Sequence, residues 1–385
     1  MRLLVLSLAI CLLWAEGCIS KVVFKRPMQR GALEHVGRVI GGTDATQGTY
    51  PFAAFLMIDE GDTTAFCGGT IIARQWILTA AHCVVDTTIS RANTIHHIHS
   101  DTHTINGTEH ASVVSQKLSQ KQPWQPVRRS TRSYKIVKPK DVVVGVGSVF
   151  NVQANPLKVS KVHAHPGLNL DYFDNDIALL KLKKKLNFNG NVQPIHIDTD
   201  TVRDGMTVTG IGWGKTSLES QSTSDVLQQV DLKTGDEALC QRIRPEFDGN
   251  DGNYICVTTP EGRDTCSGDS GGPLLRRCTG DPSQGGSGGN GPWVQLGITS
   301  YGDSISESAS TLCAASDGAG FYTHAAAYLD FISKTTGIKR ENLAATCNGS
   351  RLNYVGNING AASLIKSPIA IAVTTTATTA LLWLL

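Results

Sequence analysis

The chain has 385 residues, 41% of them apolar and 18% charged, with a formal net charge of +2 at pH 7. That length suggests two or three structural units, and the composition allows a sizeable core while excluding a wholly disordered or collagen-like chain. A mean hydropathy of −0.09 excludes a polytopic membrane protein, the near-neutral charge gives no global field for nucleic acid or an acidic partner, and ten cysteines are many for a reducing cytosol.

Met1–Arg2 is a short positive start, followed by the nearly unbroken apolar run Leu3–Trp14. The run is too short to span a bilayer and reads as a secretory signal over residues 1–17, extending to 20 if cleavage follows Ser20. Residues 18–38 form a short segment ending at Gly37-Arg38, ahead of Val39-Ile40-Gly41-Gly42. Leu78-Thr79-Ala80-Ala81-His82-Cys83 comes next.

Residues 86–139 then break the pattern. They hold His96, His97, His99, His103 and His110, together with a basic series from Lys117 to Lys140. So long an irregular stretch is expected to be an exposed, partly disordered loop. The histidines lack regular ligand spacing, and the rival readings are a zinc or copper site or a dock for acidic polysaccharide or lipid headgroups. Val142–Phe150 and Val159–Pro166 return to the alternation of strands.

Asp174-Asn175-Asp176-Ile177-Ala178-Leu179-Leu180 follows, and then Cys266-Ser267-Gly268-Asp269-Ser270-Gly271-Gly272-Pro273, the most specific string in the chain. A hydroxyl is a poor nucleophile at neutral pH and needs an adjacent base. His82 can take the Ser270 proton, and Asp176 can hold the imidazole in the right tautomer and stabilise it when charged.

Thr279–Pro292 is Gly/Ser-rich and is expected to be a flexible loop. Alanines after His324 and the spacing of Tyr328, Leu329 and Ile332 predict a helix running through Phe331 towards Thr336. Asn106 and Asn348 head glycosylation sequons. Residues 348–362 read as a linker and 363–385 as a removed tail. Asn359-Gly360-Ala361-Ala362, a short spacer and the apolar, Thr/Ala-rich Ile369–Leu385 make the pattern of a GPI-attachment signal, with Asn359 or Gly360 as the attachment residue. A retained membrane anchor and a tail that packs are the rivals. A signal at each end implies a secreted protein held at the outer cell surface.

The strings carrying His82, Asp176 and Ser270, in that order, resemble the chymotrypsin/trypsin family of serine endopeptidases. The resemblance runs from Val39 to about Gly337. It implies an all-β fold of two antiparallel six-stranded β-barrels with a C-terminal α-helix, and a peptidase domain over 39–347. His82 and Asp176 would come from the first barrel and Ser270 from the second, with the cleft between them. The implied reaction is peptide hydrolysis through an acyl-enzyme on Ser270, with an oxyanion hole of the Gly268 and Ser270 N–H groups and no cofactor or metal. Gly37–Gly42 looks like the family's activation site. A cut after Arg38 would free the Val39 amino group to pair with Asp269, and the Arg implies an activating protease of trypsin-like preference. Asp264 matches the floor of the specificity pocket, Gly302 and Gly320 its walls, and Ser300-Tyr301-Gly302 the edge that pairs with substrate backbone. Cleavage after Arg or Lys follows. The implied partners are protein or peptide substrates with Arg or Lys at the cut, the activating protease, protein inhibitors and, through the lipid anchor, a membrane, but no nucleic acid. The competing class is a catalytically silent surface adhesion or scaffolding protein on the same fold.

The resemblance also pairs Cys67 with Cys83, Cys240 with Cys256 and Cys266 with Cys313. Cys18, Cys278 and Cys347 remain. A signal cut after Ser20 leaves Cys278 and Cys347 as a pair, a cut after Gly17 leaves an odd count, and Cys18 as a tether of the pro-segment is a third possibility. For such a tether, His196 stands where the partner is often found. Four departures stand out. Arg244 replaces a Tyr that often supports the pocket, which puts binding strength in doubt. The stretch Asp303–Thr311 enlarges the pocket rim. No acidic residue lies between Val142 and Leu170, where some relatives bind calcium, and Ala319 does not match the Tyr linked to sodium activation.

Overall fold

The computed structural model describes residues 39–354 except 62, 87–133, 152–155, 218–219, 221, 260–261, 282, 284, 306–312 and 350. The signal, Arg38, Cys18, the five loop histidines, Asn106 and the C-terminal attachment signal lie outside the described residues.

Twelve strands build two closed barrels. The first uses β1 (Ala53–Asp59), β2 (Thr64–Ala73), β3 (Trp76–Thr79), β4 (Val142–Val146), β5 (Leu157–Ala164) and β6 (Ala178–Leu182). They pair antiparallel in the order β1-β2-β3-β6-β5-β4, and β4 closes on β1. The second uses β7 (Thr207–Gly212), β8 (Gln228–Thr234), β9 (Tyr254–Thr258), β10 (Pro273–Arg277), β11 (Trp293–Ser304) and β12 (Gly318–His324). Its order is β10-β7-β8-β9-β12-β11, closed by β10 on β11. Closure removes the unpaired edges that an open sheet would offer to other chains.

The strand sequences explain the two cores. Leu56, Ile58, Ile71, Ile77, Leu78, Leu180 and Leu182 fill the first barrel, and Val208, Val230, Leu232, Ile255, Val257 and Leu296 fill the second. The first core runs on into Ile211, Trp213, Leu275 and Ile298 of the second barrel, so an apolar seam joins the two. Val39 is fully buried in the second core.

A 3-10 turn, Ala325–Tyr328, leads into a helix at Leu329–Thr336 that buries Leu329 and Ile332 and ends at Gly337 with φ 74°. The expected C-terminal helix is therefore present, one turn later as α-helix proper. A second, earlier helix, Glu237–Ile243, was not among the expectations. Its local signal is Asp236, whose side chain accepts the Leu239 N–H at 2.9 Å as an N-cap.

Four disulfides are formed: Cys67–Cys83, Cys240–Cys256, Cys266–Cys313 and Cys278–Cys347. The fourth fastens a C-terminal hairpin in which Ala344–Asn348 pairs with Arg351–Tyr354 and lies parallel to Ile197–Asp198. The expected linker at 348 thus begins as ordered strand, because the disulfide and the ladder hold it down. The expected flexible loop at 279–292 is also fastened. Ser287 donates its N–H and hydroxyl to Asp231, each at 2.8 Å, and Arg277 N–H bonds the Gly285 carbonyl. The long insert is closed at its base, where Val85–Asp86 pairs with Lys135–Ile136. Among the described residues, no helix is long and apolar enough to cross a membrane.

Candidate active site

β3 ends at Thr79, and the next turn carries His82. The loop into β6 carries Asp176, which is completely buried. Asp176 Oδ2 meets His82 Nδ1 at 2.7 Å, and Oδ1 accepts the His82 backbone N–H at 2.8 Å. Ser300, on β11, donates its hydroxyl to Oδ2 at 2.5 Å, and Thr323 donates to the Asp176 carbonyl at 2.9 Å. Two strands of the second barrel therefore grip an acid of the first. Burial alone would raise the Asp176 carboxyl. The His82 charge and the bonds from His82 and Ser300 outweigh it and hold the carboxyl below its ordinary value. For His82, burial lowers basicity, but Asp176 overrides it and the imidazole is raised above its usual value. One fifth of the His82 side chain remains exposed.

Ser270 reaches the same place by backbone docking. Its carbonyl accepts the Gly68 N–H of β2 at 2.7 Å. Gly271 has φ +78°, and a Cβ there would lie 2.2 Å from Thr79 Oγ1, so only glycine lets this loop press against the strand that leads to His82. On the other side, the Gly271 N–H bonds Thr299 O, and the Thr299 N–H bonds Gly272 O, both at 2.8 Å. Ser270 is thus held between the His82 strand and the Ser300 strand. Among the described residues its hydroxyl has no hydrogen-bond partner.

Gly268 has φ +101°, and a Cβ there would meet the Gly214 Cα at 2.9 Å. Among the described residues neither the Gly268 nor the Ser270 N–H is taken by a carbonyl. Asp269 between them is fully buried. Its carboxylate accepts Gly214 N–H at 2.7 Å and Cys266 N–H at 2.8 Å but faces no described cation, and burial pushes its carboxyl up to about 7.

A cleft of ≈570 Å³ opens beside Ser270 and is lined by Asp264, Ser300, Gly302 and Gly320. Gly302 and Gly320 face each other across the β11–β12 ladder. A Cβ on Gly320 would stand 3.2 Å from Asp264 Oδ1, in the space the pocket needs. Asp264 is 2% exposed. Its Oδ2 accepts the Ala314 N–H at 3.1 Å, its Oδ1 has no hydrogen-bond partner among the described residues, and burial pushes the carboxyl up to about 7.

Arg244 lines the cleft in an arrangement that sequence reading missed. Its guanidinium bonds the Tyr172 carbonyl and Asp174, each at 2.8 Å, and the Tyr301 hydroxyl. It lies over the Tyr254 ring at 4.0 Å. One side chain of the second barrel therefore clamps the segment just before Asp176 and the aromatic wall formed by Phe173 stacked on Tyr301 at 4.8 Å. An arginine in place of a tyrosine leaves this wall braced rather than unsupported.

No described cluster suits a metal. The two groups of potential ligands, around Cys67, His82 and Cys83 and around Asp198, Asp200 and Cys347, both count sulfurs that are locked in disulfides.

Comparison with known proteins agrees with this geometry. The family model described as Trypsin matches residues 39–128 and 132–332. Trypsin-1 of Astacus astacus is 32% identical over 250 residues, 63% of this chain and 84% of the relative. Brachyurin of Leptuca pugilator is 28% identical over 305 residues, 78% of this chain and 99% of the relative. The CLIP domain-containing serine protease B4 of Anopheles gambiae is 28% identical over 308 residues, 77% of this chain and 69% of the relative.

Proposed function

The chain belongs to the trypsin family and is a serine endopeptidase, and from that premise we propose that it is made as an inactive precursor, activated by a cut after Arg38, and cleaves peptide bonds after Arg or Lys. The observation that carries the specificity is Asp264. A buried carboxylate with one unpartnered oxygen, at a cleft beside Ser270, is completed by a cationic side chain. Arg would meet it with a two-pronged fork, and Lys through a bridging water.

In the proposed reaction, Ser270 Oγ attacks the scissile carbonyl and His82 Nε2 takes its proton. Asp176 fixes the tautomer through Nδ1 and stabilises the imidazolium. The free N–H groups of Gly268 and Ser270 receive the charge that develops on the carbonyl oxygen. Collapse expels the amine, protonated by His82, and leaves an acyl group on Ser270. Water activated by His82 then releases the acid. The chemistry needs no cofactor.

Asp269 supports the activation step. A wholly buried carboxylate with two N–H donors and no described cation is costly until an ammonium joins it. The new Val39 amino terminus would supply that charge, and Asp269 sits between the two oxyanion donors, so completing the pair would set their geometry. We assign residues 1–17 to a signal, 18–38 to the pro-segment, and the C-terminal tail to a lipid-anchor signal that holds the enzyme outside the cell. Protein inhibitors and an activating protease are the corresponding partners.

The test is to secrete the full chain, cut it with trypsin, label it with a fluorophosphonate and profile it on a peptide library. Labelling at Ser270 and a preference for Arg or Lys before the cut are expected. No label would favour a silent binding protein, and a preference for apolar or acidic residues would overturn the role of Asp264. Release of activity from cells by phosphatidylinositol-specific phospholipase tests the anchor, and insensitivity to it would refute that assignment.

A further inference from the structure

The outer wall of the first barrel, far from neutral in a chain whose net charge is only +2, concentrates cations on neighbouring elements. Lys158 and Lys161 lie on β5, Lys181 on β6, and Lys183, Lys184 and Lys185 directly after it. All but the half-buried Lys181 are exposed. None of the six has an ion pair among the described residues. Arg74, in the turn between β2 and β3, extends the wall. Its guanidinium bonds the Leu186 carbonyl at 3.0 Å and lies over Phe188. No Asp or Glu occurs anywhere in β2 to β6 or between Lys183 and Ile197. The nearest acid to the wall in sequence, Asp176, five residues before Lys181, is completely buried and bonded to His82, and Asp141 before β4 has Lys140 at 3.8 Å.

This arrangement works against stability. Lys161 and Lys181 are directly opposite in the β5–β6 ladder, and the Lys183 N–H bonds the Lys158 carbonyl, which brings those two lysines together as well. Like charges placed opposite one another are destabilising. The pairing of Lys161 with Lys181 depends on a register shift between Val159 and Lys161, where Ser160 and Lys161 are both exposed. The crowding also acts on His163, held below its ordinary value by burial and then by Lys161 and Lys181. Self-repulsion of this kind is relieved by a bound polyanion.

The surroundings select among polyanions. The large exposed apolar side chains of the described protein are Met57, Phe66, Ile136, Phe150, Tyr172 and Ile305, and none lies on β3, β5, β6 or the lysine run. Without an apolar wedge the wall cannot enter a lipid interface. Without an aromatic or apolar anchor it lacks what holds a peptide or protein partner. A linear chain dense in fixed negative charge needs neither, and flexible lysine ammoniums tolerate its irregular charge spacing. We propose that this wall is a docking surface for a sulfated polysaccharide, separate from the cleft and serving to hold or concentrate the enzyme.

The full secreted chain is run on immobilised heparin in a sodium chloride gradient. The wall variant is Lys158→Gln/Lys161→Gln/Lys183→Gln/Lys184→Gln. A charge-matched control is Lys233→Gln/Lys334→Gln/Lys339→Gln/Arg351→Gln, all exposed and all outside the first barrel. The wall variant should lose roughly tenfold or more in heparin affinity at physiological salt, with a shallower dependence of log affinity on log salt. The control should stay within about twofold. After trypsin activation both should cleave a short peptide substrate as the parent does. Should the fourfold wall variant fail to fold, Lys183→Gln/Lys184→Gln/Lys185→Gln, confined to the turn, tests the same surface. An unmoved wall variant would overturn the proposal in favour of another basic segment. Equal losses in wall variant and control would reduce the effect to net charge. Binding to phosphatidylserine vesicles without binding to heparin would assign the wall to a membrane instead.

Discussion

Replacing Asp264 by Asn keeps the shape of the cleft floor and removes its charge. Asp264 is 2% exposed, and its Oδ1 has no hydrogen-bond partner among the described residues. Truncating one member of a buried ion pair costs about 3–5 kcal/mol because the other charge is stranded. Here the stranded cation belongs to the substrate, which can stay in water, so the lower end applies. At about 1.4 kcal/mol per tenfold, kcat/KM for substrates with Arg or Lys should fall by about 10²–10³. A substrate with Leu in the same place should change within a few fold. Initial rates of the activated enzyme on chromogenic peptides give these ratios. A second measurement isolates the charge from His82: inhibition by an aromatic amidinium, which binds the cleft without reacting. Burial raises the Asp264 carboxyl to about 7 in the free protein. A cation binds only the ionised form, so the inhibition constant should be steady above about pH 8 and weaken tenfold per pH unit well below 7. The Asn variant should bind weakly with little pH dependence. Retention of the Arg preference within tenfold, or equal pH profiles in the two proteins, would refute the reasoning.

Ser300→Ala removes one donor from the buried Asp176 carboxylate, a bond to a charged group worth about 1.5–3 kcal/mol. It should lower kcat roughly tenfold with KM nearly unchanged, and a rise in KM alone would place Ser300 in substrate binding only. Asp269→Asn should separate stability from activation. The folded carboxyl is raised to about 7 in the uncut chain, so its stabilising protonation is complete below about pH 4 and lost as pH rises through 7. The Asn variant, uncut, should therefore unfold at higher temperature than the parent at pH 8, with the gain vanishing near pH 4, yet remain inactive after the cut. An active cut variant would refute the proposed pairing with Val39. Replacing Cys278 and Cys347 together by Ser opens a link with a sequence separation of 69 residues. The loss should be about 2–4 kcal/mol in denaturant unfolding, with cleavage of small peptides unchanged.

What could be read from the sequence was local. The strings around His82, Asp176 and Ser270 are contiguous, and each lies where a strand ends or a tight turn is forced, so their residue types are fixed within a few positions. The Arg244 clamp has no such signature. Its partners Tyr172 and Asp174 are 72 and 70 residues away, and a lone arginine after a short helix looks like a solvated surface charge. The C-terminal hairpin was misread as linker for a related reason. Arg351–Tyr354 is a short, partly polar strand whose order comes from Cys278 and Ile197, far upstream. The lysine wall was invisible because its members come from two strands and a turn, and only the β5–β6 register sets them side by side.

Four buried carboxylates show how the site differs from the rest of the protein. Asp198 is buried, and Arg276 neutralises it. Asp176 is buried, and His82 with its hydrogen bonds keeps it ionised. Asp264 and Asp269 are as deeply buried, yet each has only backbone N–H donors and a carboxyl pushed up to about 7. A core under selection for stability alone would replace both, since the isosteric amide removes the charge at little cost in volume. Their retention makes sense if each awaits a cation that the uncut, unliganded chain lacks. Asp264 opens on the cleft, so its cation arrives with a substrate. Asp269 is sealed between Gly268 and Ser270, so on the proposed reading its cation would come from the chain, and a cut ahead of the buried Val39 would create one. In the proposed scheme the same unbalanced charge would account for both a silent precursor and a selective mature enzyme: each function would wait on the arrival of one positive group.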